Sequence, residues 1–225
     1  MDCLVTDIIR EAKVAIDENV SSQALTALGD VDTLTLDDII ASKVEDAARL
    51  VLESAAHWLL GAGKALTGPV AWESQEEGYG AGRIVLPGDF LRLLTFQMSD
   101  WARPVTEAIT EESPLYAMQS SRYGGIRGNA QRPVVAITHS HDTGLALEFY
   151  SCEAGPGVTI KRALYIGVPT ITGGVIVLPD KLRSAVVYRV ASMSAESIGD
   201  GNLAMLLLSR SNELAGLGSG PSSAE

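Results

Sequence analysis

The spacing of apolar positions divides the chain into helical ends and a β-rich middle. Apolar residues recur every three or four positions in residues 4–18, 36–59, 182–193 and 203–214, which predicts amphipathic helices. Residues 64–179 instead carry short apolar or alternating runs between turn residues, which predicts strands. The fold class is therefore α+β, with a helical bundle from the N- and C-terminal segments and a central antiparallel β-meander or sandwich as an excursion.

The same pattern suggests where the segments begin and end. Residues 1–63 and residues 180–215 form the helical body, and residues 64–179 form the β-rich excursion with a long central loop. Residues 216–225 contain few apolar side chains, so we expect a flexible tail.

The second helix has the clearest local signature. Thr35 and Asp38 stand three positions apart at its start, in the arrangement of a capping box with Asp replacing the usual Glu. Gly61 and Gly63 are expected to end the helix. Its apolar stripe consists of Leu36, Ile40, Val44, Ala47, Val51, Ala55 and Trp58. An apolar face of this width predicts packing against other helices.

Several strands are predicted in the middle of the chain. A hairpin is expected from residues 70–73 and 83–87, followed by a buried strand over residues 91–98. A β-meander is then expected over residues 134–138, 145–152 and 158–166, with a possible fourth strand over residues 170–178. Leu145, Leu147 and Phe149 alternate with Ala146, Glu148 and Tyr150, which predicts one buried and one partly polar face. Residues 107–112 could form a helical turn that Pro114 breaks.

The charge of the chain is unevenly distributed and argues against a general nucleic-acid binder. The net charge is −11, and residues 1–60 alone contain 12 acidic and 4 basic side chains. Residues 116–180 are mildly basic, with 4 acidic and 5 basic side chains. Binding to a phosphate backbone requires clustered Lys and Arg, which the acidic N-terminal helices do not supply.

Candidate reactive groups are few. His139, His141 and Asp142 could together bind zinc, but the spacing does not fit the ligand motif of metallo-hydrolases, and a strand-connecting turn explains the same residues. We therefore expect no catalytic residue, no metal and no cofactor. Cys3 and Cys152 are isolated, which favours a reducing compartment. The sequence shows neither a secretory signal nor an apolar run long enough for a membrane span.

Six segments of the chain carry a resemblance to a known family. They are residues 8–19, residues 32–49, residues 86–93 (Leu-Pro-Gly-Asp-Phe-Leu-Arg-Leu), residues 97–104 (Gln-Met-Ser-Asp-Trp-Ala-Arg-Pro), residues 125–129 (Gly-Ile-Arg-Gly-Asn) and residues 147–152 (Leu-Glu-Phe-Tyr-Ser-Cys). These segments resemble structural proteins of tailed phages and prophages of gut Bacteroidales. The likeness continues through Leu178 and Pro179 and so covers nearly the whole chain. The role that this resemblance implies is a head-to-tail connector, also called an adaptor or ring protein, which sits under the portal.

The resemblance implies a virion protein that is not an enzyme, is assembled in the host cytoplasm and forms a ring with contacts to portal and tail proteins. DNA would at most pass through the ring, without sequence-specific binding and without a membrane. A closed ring needs two different matching faces on each subunit. The acidic N-terminal helices and the arginines of the central loop are candidates for these faces. The candidate interface residues are Trp101, Arg103, Arg122, Tyr123, Arg127 and Arg132.

Three alternatives remain at this stage. Another tail protein or a minor capsid protein would have a similar sequence pattern. A soluble metal-dependent enzyme would use His139 and His141. A cytosolic regulatory or binding module would show no affinity for a portal.

Overall fold

A computed structural model describes residues 1–16, 35–76, 79–121, 123, 125–140, 144–152 and 157–218. The described residues form a mixed α and β fold. Their helices are α1 (Val5–Ala15), α2 (Leu36–Ser54), α3 (Pro114–Met118), α4 (Arg183–Ser197) and α5 (Gly201–Leu214). Their strands are β1 (Asp2–Leu4), β2 (Lys64–Ala65), β3 (Ala71–Glu76), β4 (Tyr79–Val85), β5 (Phe90–Met98), β6 (Ile109–Thr110), β7 (Val134–Ser140), β8 (Gly144–Cys152), β9 (Ile160–Gly167), β10 (Ile171–Thr172) and β11 (Val175–Val177).

The chain forms two compact units. The first contains the described residues of Met1–Gly61 and Val168–Glu225, and the second contains those of Ala62–Gly167. The second unit is shorter than the excursion defined from sequence, because β10 and β11 form a hairpin within the first unit. Strand β11 pairs with β1 through Cys3 and Ile176. The expected strand over residues 170–178 is thus two short strands, joined at Gly173 and Gly174, which both have positive φ.

The predicted capping box of α2 is confirmed. The Thr35 hydroxyl accepts a hydrogen bond from the Asp38 backbone N–H at 3.2 Å, and the Asp38 carboxylate accepts one from the Thr35 backbone N–H at 3.0 Å. These bonds satisfy two backbone donors that would otherwise lack partners. The hydrogen bonds from Thr35 also lower the pKa of Asp38.

The apolar stripe of α2 is buried along the helix but does not extend to Trp58. Ile40, Val44, Ala47 and Val51 are all buried. The helix ends at Ser54, because Ala55 takes an extended conformation with ψ of 152°. Trp58 follows in a short 3₁₀ helix and is exposed, with the Lys181 ammonium 5.5 Å from its ring centroid. The sequence placed the end of this helix too late.

Helices α4 and α5 approach closely through small residues. The Ser192 hydroxyl donates to the Ala204 carbonyl at 2.8 Å, and the Ser211 hydroxyl donates to the Ala185 carbonyl at 2.7 Å. Both hydroxyls are buried, so these bonds remove the cost of desolvating them. Among the described residues, no helix is long and apolar enough to cross a membrane.

The second unit contains two sheets. One has the strand order β2-β9-β5, and the other has the order β3-β4-β8-β7-β6. The predicted hairpin is present as β3 and β4, although β4 already begins at Tyr79. Strand β6 pairs with β7 in parallel, and the other pairs in both sheets are antiparallel.

The predicted three-strand meander is wrong in its last step. Strands β7 and β8 are neighbours, but β9 pairs with β5, where Leu93 lies opposite Tyr165. Alternation along a strand shows which face is buried and does not identify the partner strand. The strand β9 therefore joins the sheet that places Ala163 and Tyr165 in the core of this unit.

Buried residues from both sheets form one core. The Phe149 ring of β8 lies 5.6 Å from the Phe96 ring of β5 and 5.5 Å from the Trp72 ring of β3. Such aromatic pairs contribute about 0.5–1.5 kcal/mol beyond the area that they bury. Gly82 on β4 makes room for this cluster, because a Cβ at this position would lie 2.6 Å from Phe149 Cζ.

We predict that Gly82→Ala destabilises the protein by about 1–3 kcal/mol, because the added methyl group overlaps a buried ring. The free energy of unfolding in urea measures the effect. Gly88→Ala is the matched control, since nothing lies within 4 Å of a Cβ added there. Equal stability of the two variants would contradict this account of the core.

Candidate functional site

The six predicted interface residues do not share one environment. Trp101 is only 3% exposed and Arg127 only 8%, whereas Tyr123 is 72% exposed. Arg103 and Arg132 are also exposed. Arg122 lies outside the described residues. The interface remains a prediction, and only the exposed members offer it a surface.

Trp101 belongs to the core of its own unit. Its ring packs edge-on against Phe96 at a centroid distance of 5.5 Å, and its carbonyl accepts a hydrogen bond from the Gln97 side chain at 3.1 Å. The turn that follows β5 folds back onto the sheet and so carries the indole inward. Trp101 was predicted as a candidate interface residue, but its buried side chain offers a partner almost no surface.

The central loop, which follows α3 over residues 119–132, is held by its own side chains. The Gln119 amide is buried; it donates to the Leu115 carbonyl at 2.8 Å and accepts from the Gly128 N–H at 2.9 Å. The Asn129 carboxamide oxygen accepts from the backbone N–H of Arg132 at 3.0 Å. These bonds satisfy the backbone of a segment that has little regular structure of its own.

Helix α3 begins where the sequence predicted a helix to stop. The expected turn over residues 107–112 is wrong, since this segment contains the two-residue strand β6. Pro114 instead occupies the first turn of α3, where its missing N–H and fixed φ do no harm. The Ser113 side chain caps this helix by accepting from the Leu115 N–H at 3.3 Å.

Helix α3 and the central loop together expose an apolar surface. Leu115 is 51% exposed, Met118 44% and Ile126 55%. We call these three residues the contact patch. Leu115 and Ile126 line the same open groove, and the exposed ring of Tyr123 lies in the same loop. Exposed apolar side chains that are grouped in this way are typical of interaction sites.

The contact patch is not among the interface residues predicted from sequence. Leu115 and Met118 stand three positions apart, which is helical spacing, but a proline such as Pro114 inside such a pattern predicts a helix end. Once Pro114 is placed in the first turn, both side chains fall on one face of α3. That spacing is the signal that could have identified them.

Next to α3, the Glu148 carboxylate accepts hydrogen bonds from three hydroxyl groups. The Glu148 side chain of β8 accepts from Tyr150 at 2.6 Å, from Thr138 of β7 at 3.0 Å and from Tyr116 of α3 at 3.1 Å. We call this arrangement the Glu148 hub. Burial, together with the adjacent Glu148 carboxylate, raises the pKa of both Tyr116 and Tyr150. Both phenols therefore stay protonated and act as donors throughout the neutral range.

An open pocket of about 420 Å³ lies beside the Glu148 hub. It is lined by Glu73, Ala81, Tyr116, Ala117, Gln119, Ser120, Glu148 and Tyr150. The Gln119 amide and the Glu148 carboxylate both hold partners within the chain. Both side chains therefore contribute to the local fold.

The described residues give little support to the alternative of a metal-dependent enzyme that uses His139 and His141. His139 is exposed, and its Nδ1 lies 3.8 Å from the Glu111 carboxylate. The other Glu111 oxygen accepts from the His139 backbone N–H at 3.1 Å, so Glu111 caps the edge of β7. His141 and Asp142 lie outside the described residues. Within the described ranges, no three His, Cys, Asp or Glu side chains are grouped to hold a metal ion.

A second ionic cluster joins β2, β9 and the turn before β5. The Asp89 carboxylate accepts from the Lys64 ammonium at 2.6 Å and from the Tyr165 hydroxyl at 2.9 Å. A Cβ at Gly167 would lie 2.7 Å from both Asp89 Oδ2 and Lys64 Nζ, so a side chain at this position would push the ion pair aside. The hydrogen bond from Lys64 is the main reason why the pKa of Asp89 is lowered, and Tyr165 adds to it.

No protein-family model and no curated protein matches this chain. A function can therefore be proposed only from the sequence resemblance and from the contact patch, together with the hydrogen bonds that hold α3 and the central loop.

We predict that Asp89 contributes to stability at neutral pH but not in acid. Its pKa is lowered in the folded state, so the contribution is complete above the unfolded pKa near 3.8 and disappears as the pH falls through the folded value. Asp89→Asn should therefore lower the free energy of unfolding more at pH 7 than at roughly pH 2. The difference should stay below about 1 kcal/mol, because Lys64 and Asp89 are partly exposed. The same difference at both pH values would contradict this account.

Proposed function

We propose that this chain is a structural protein of a tailed-phage virion, a head-to-tail connector that forms a ring next to the portal. Its layout would be a helical bundle made from both chain ends, with a β-sandwich excursion that carries the contacts. Its role would be mechanical rather than enzymatic, and it would need no cofactor. DNA would at most pass through the ring.

The contact patch is the observation that supports this proposal most directly. Leu115, Met118 and Ile126 expose large apolar side chains on a segment that Gln119 and Asn129 hold in shape. A preformed surface loses little conformational entropy on association, so even a small apolar patch contributes usefully to binding. This combination suits a protein whose function is to be joined to neighbouring subunits.

The charge distribution supplies a candidate for the opposite face. Residues 1–60 contain most of the net negative charge, and Arg103 and Arg132 are exposed near the central loop in sequence. A contact between the acidic helices of one copy and these arginines of the next would join two different faces. Such a head-to-tail contact can close into a ring in which all subunits have the same orientation. Arg127 is buried, so we assign it to the support of the loop rather than to this contact.

Partner binding separates the connector from its alternatives. Connectors can be monomeric alone, so the chain should be mixed with the portal protein encoded by the same genome and examined by size-exclusion chromatography with light scattering. A ring-sized complex supports the connector. A chain that binds tail proteins but not the portal would be another virion component. The presence of portal and capsid genes beside this one would independently support the virion class.

We predict that Leu115→Ser and Ile126→Ser each weaken association with the portal or with further copies by about tenfold or more, because each removes apolar area from the contact. Neither should lower the free energy of unfolding by more than about 0.5 kcal/mol, since both side chains are largely exposed. Light scattering and urea unfolding measure the two effects.

Met205→Ser is the matched control for these variants. Met205 lies on α5 in the first unit and is similarly exposed. Association that is weakened equally by Met205→Ser and by the patch variants would show that the contact patch has no special role.

A further inference from the structure

Helix α3 carries two of the three residues of the contact patch but has no buried residue. Its attachment to the unit therefore depends little on the burial of apolar side chains. Tyr116 is half-buried against a small cluster of Ala81, Ala136 and Tyr150, and it is the side chain of α3 that faces the five-stranded sheet. A short helix with so little buried surface is expected to open more readily than the sheet beneath it.

Two polar anchors compensate for this weak attachment. The first is the hydrogen bond from the Tyr116 hydroxyl to the Glu148 carboxylate at 3.1 Å. The second is Gln119 at the C-terminal end of α3, which bonds both to Leu115 and to Gly128 in the central loop. One anchor fixes the helix to the sheet, and the other fixes the helix to the loop that carries Ile126.

Two further hydrogen bonds in the Glu148 hub hold the carboxylate that accepts from Tyr116. Thr138 and Tyr150 lie on the neighbouring strands β7 and β8, and their hydroxyl groups fix the two carboxylate oxygens of Glu148. These two bonds restrict the orientation of the carboxylate independently of Tyr116. A hydrogen bond to such a preoriented charged acceptor is directional and stronger than one between neutral groups.

We propose that Glu148 is a positioning residue for the contact patch. It latches α3 onto the five-stranded sheet through Tyr116, and the latched helix presents Leu115 beside Ile126 and exposes Met118. This inference rests on the proposed function for the purpose of the patch. The latch itself is a property of the isolated chain and can be measured without any partner.

The first test follows hydrogen exchange of the full-length chain, detected by mass spectrometry. Tyr116→Phe removes the hydroxyl and keeps the ring. We expect it to speed exchange about tenfold at the amides of Tyr116, Gln119 and Ser121, because it removes a hydrogen bond to a charged group. Glu148→Gln should have the same effect at the same amides, since it weakens the acceptor.

Tyr165→Phe is the matched control for the exchange experiment. It also removes a single phenol-to-carboxylate hydrogen bond, the one to Asp89, in the same unit. We expect it to leave exchange over residues 113–121 unchanged. Unchanged exchange in Tyr116→Phe and Glu148→Gln, or an equal increase in Tyr165→Phe, would overturn the latch.

The second test measures association of the same variants with the portal protein. Tyr116→Phe and Glu148→Gln should weaken association about tenfold although Leu115, Met118 and Ile126 are intact, and Tyr165→Phe should not. Faster exchange combined with unchanged association, in a chain whose binding Leu115→Ser weakens, would overturn the positioning role. A wild-type chain that binds no portal would refute the proposed function instead, and the exchange experiment would still decide the latch.

Discussion

The register of strand β8 is the constraint on which the second unit depends. One face of β8 packs in the core, and the other face contacts α3. Leu147 and Phe149 point into the core, where the Phe149 ring meets Phe96 of the other sheet. Glu148 and Tyr150 point to the opposite face, where they form the hub that holds α3. Because side chains alternate along a strand, the register that buries Phe149 also aims Glu148 at Tyr116.

The stability of the two sheets and the positioning of the contact patch therefore come from different interactions. Apolar burial, including the aromatic cluster around Phe149, stabilises the sheets. Polar contacts from Glu148 and Gln119 position the exposed segment without burying α3. A segment held in this way keeps apolar side chains available for a partner, since they are not needed for folding. We expect the local stability of that segment to be lower than that of the sheet, because α3 has no buried residue.

Local rules in the sequence predicted local features well. The capping box at Thr35, the buried stripe of α2 up to Ala55 and the core position of Leu147 and Phe149 in β8 depend on residues close together in the chain, and the structure has all three. The partner of β9 and the inward turn of Trp101 depend on contacts between distant residues, which periodicity does not encode. The contact patch was missed because a single proline, Pro114, can end a helix or begin one.

The central claim is that the segment from α3 through the central loop is the surface by which this chain joins its neighbours. The most direct measurement compares hydrogen exchange of the chain alone with that of the chain mixed with the portal protein of the same genome. The account predicts that protection increases in residues 113–132, with Leu115, Met118 and Ile126 inside the protected segment. A stable complex in which protection appears only elsewhere in the chain would contradict it.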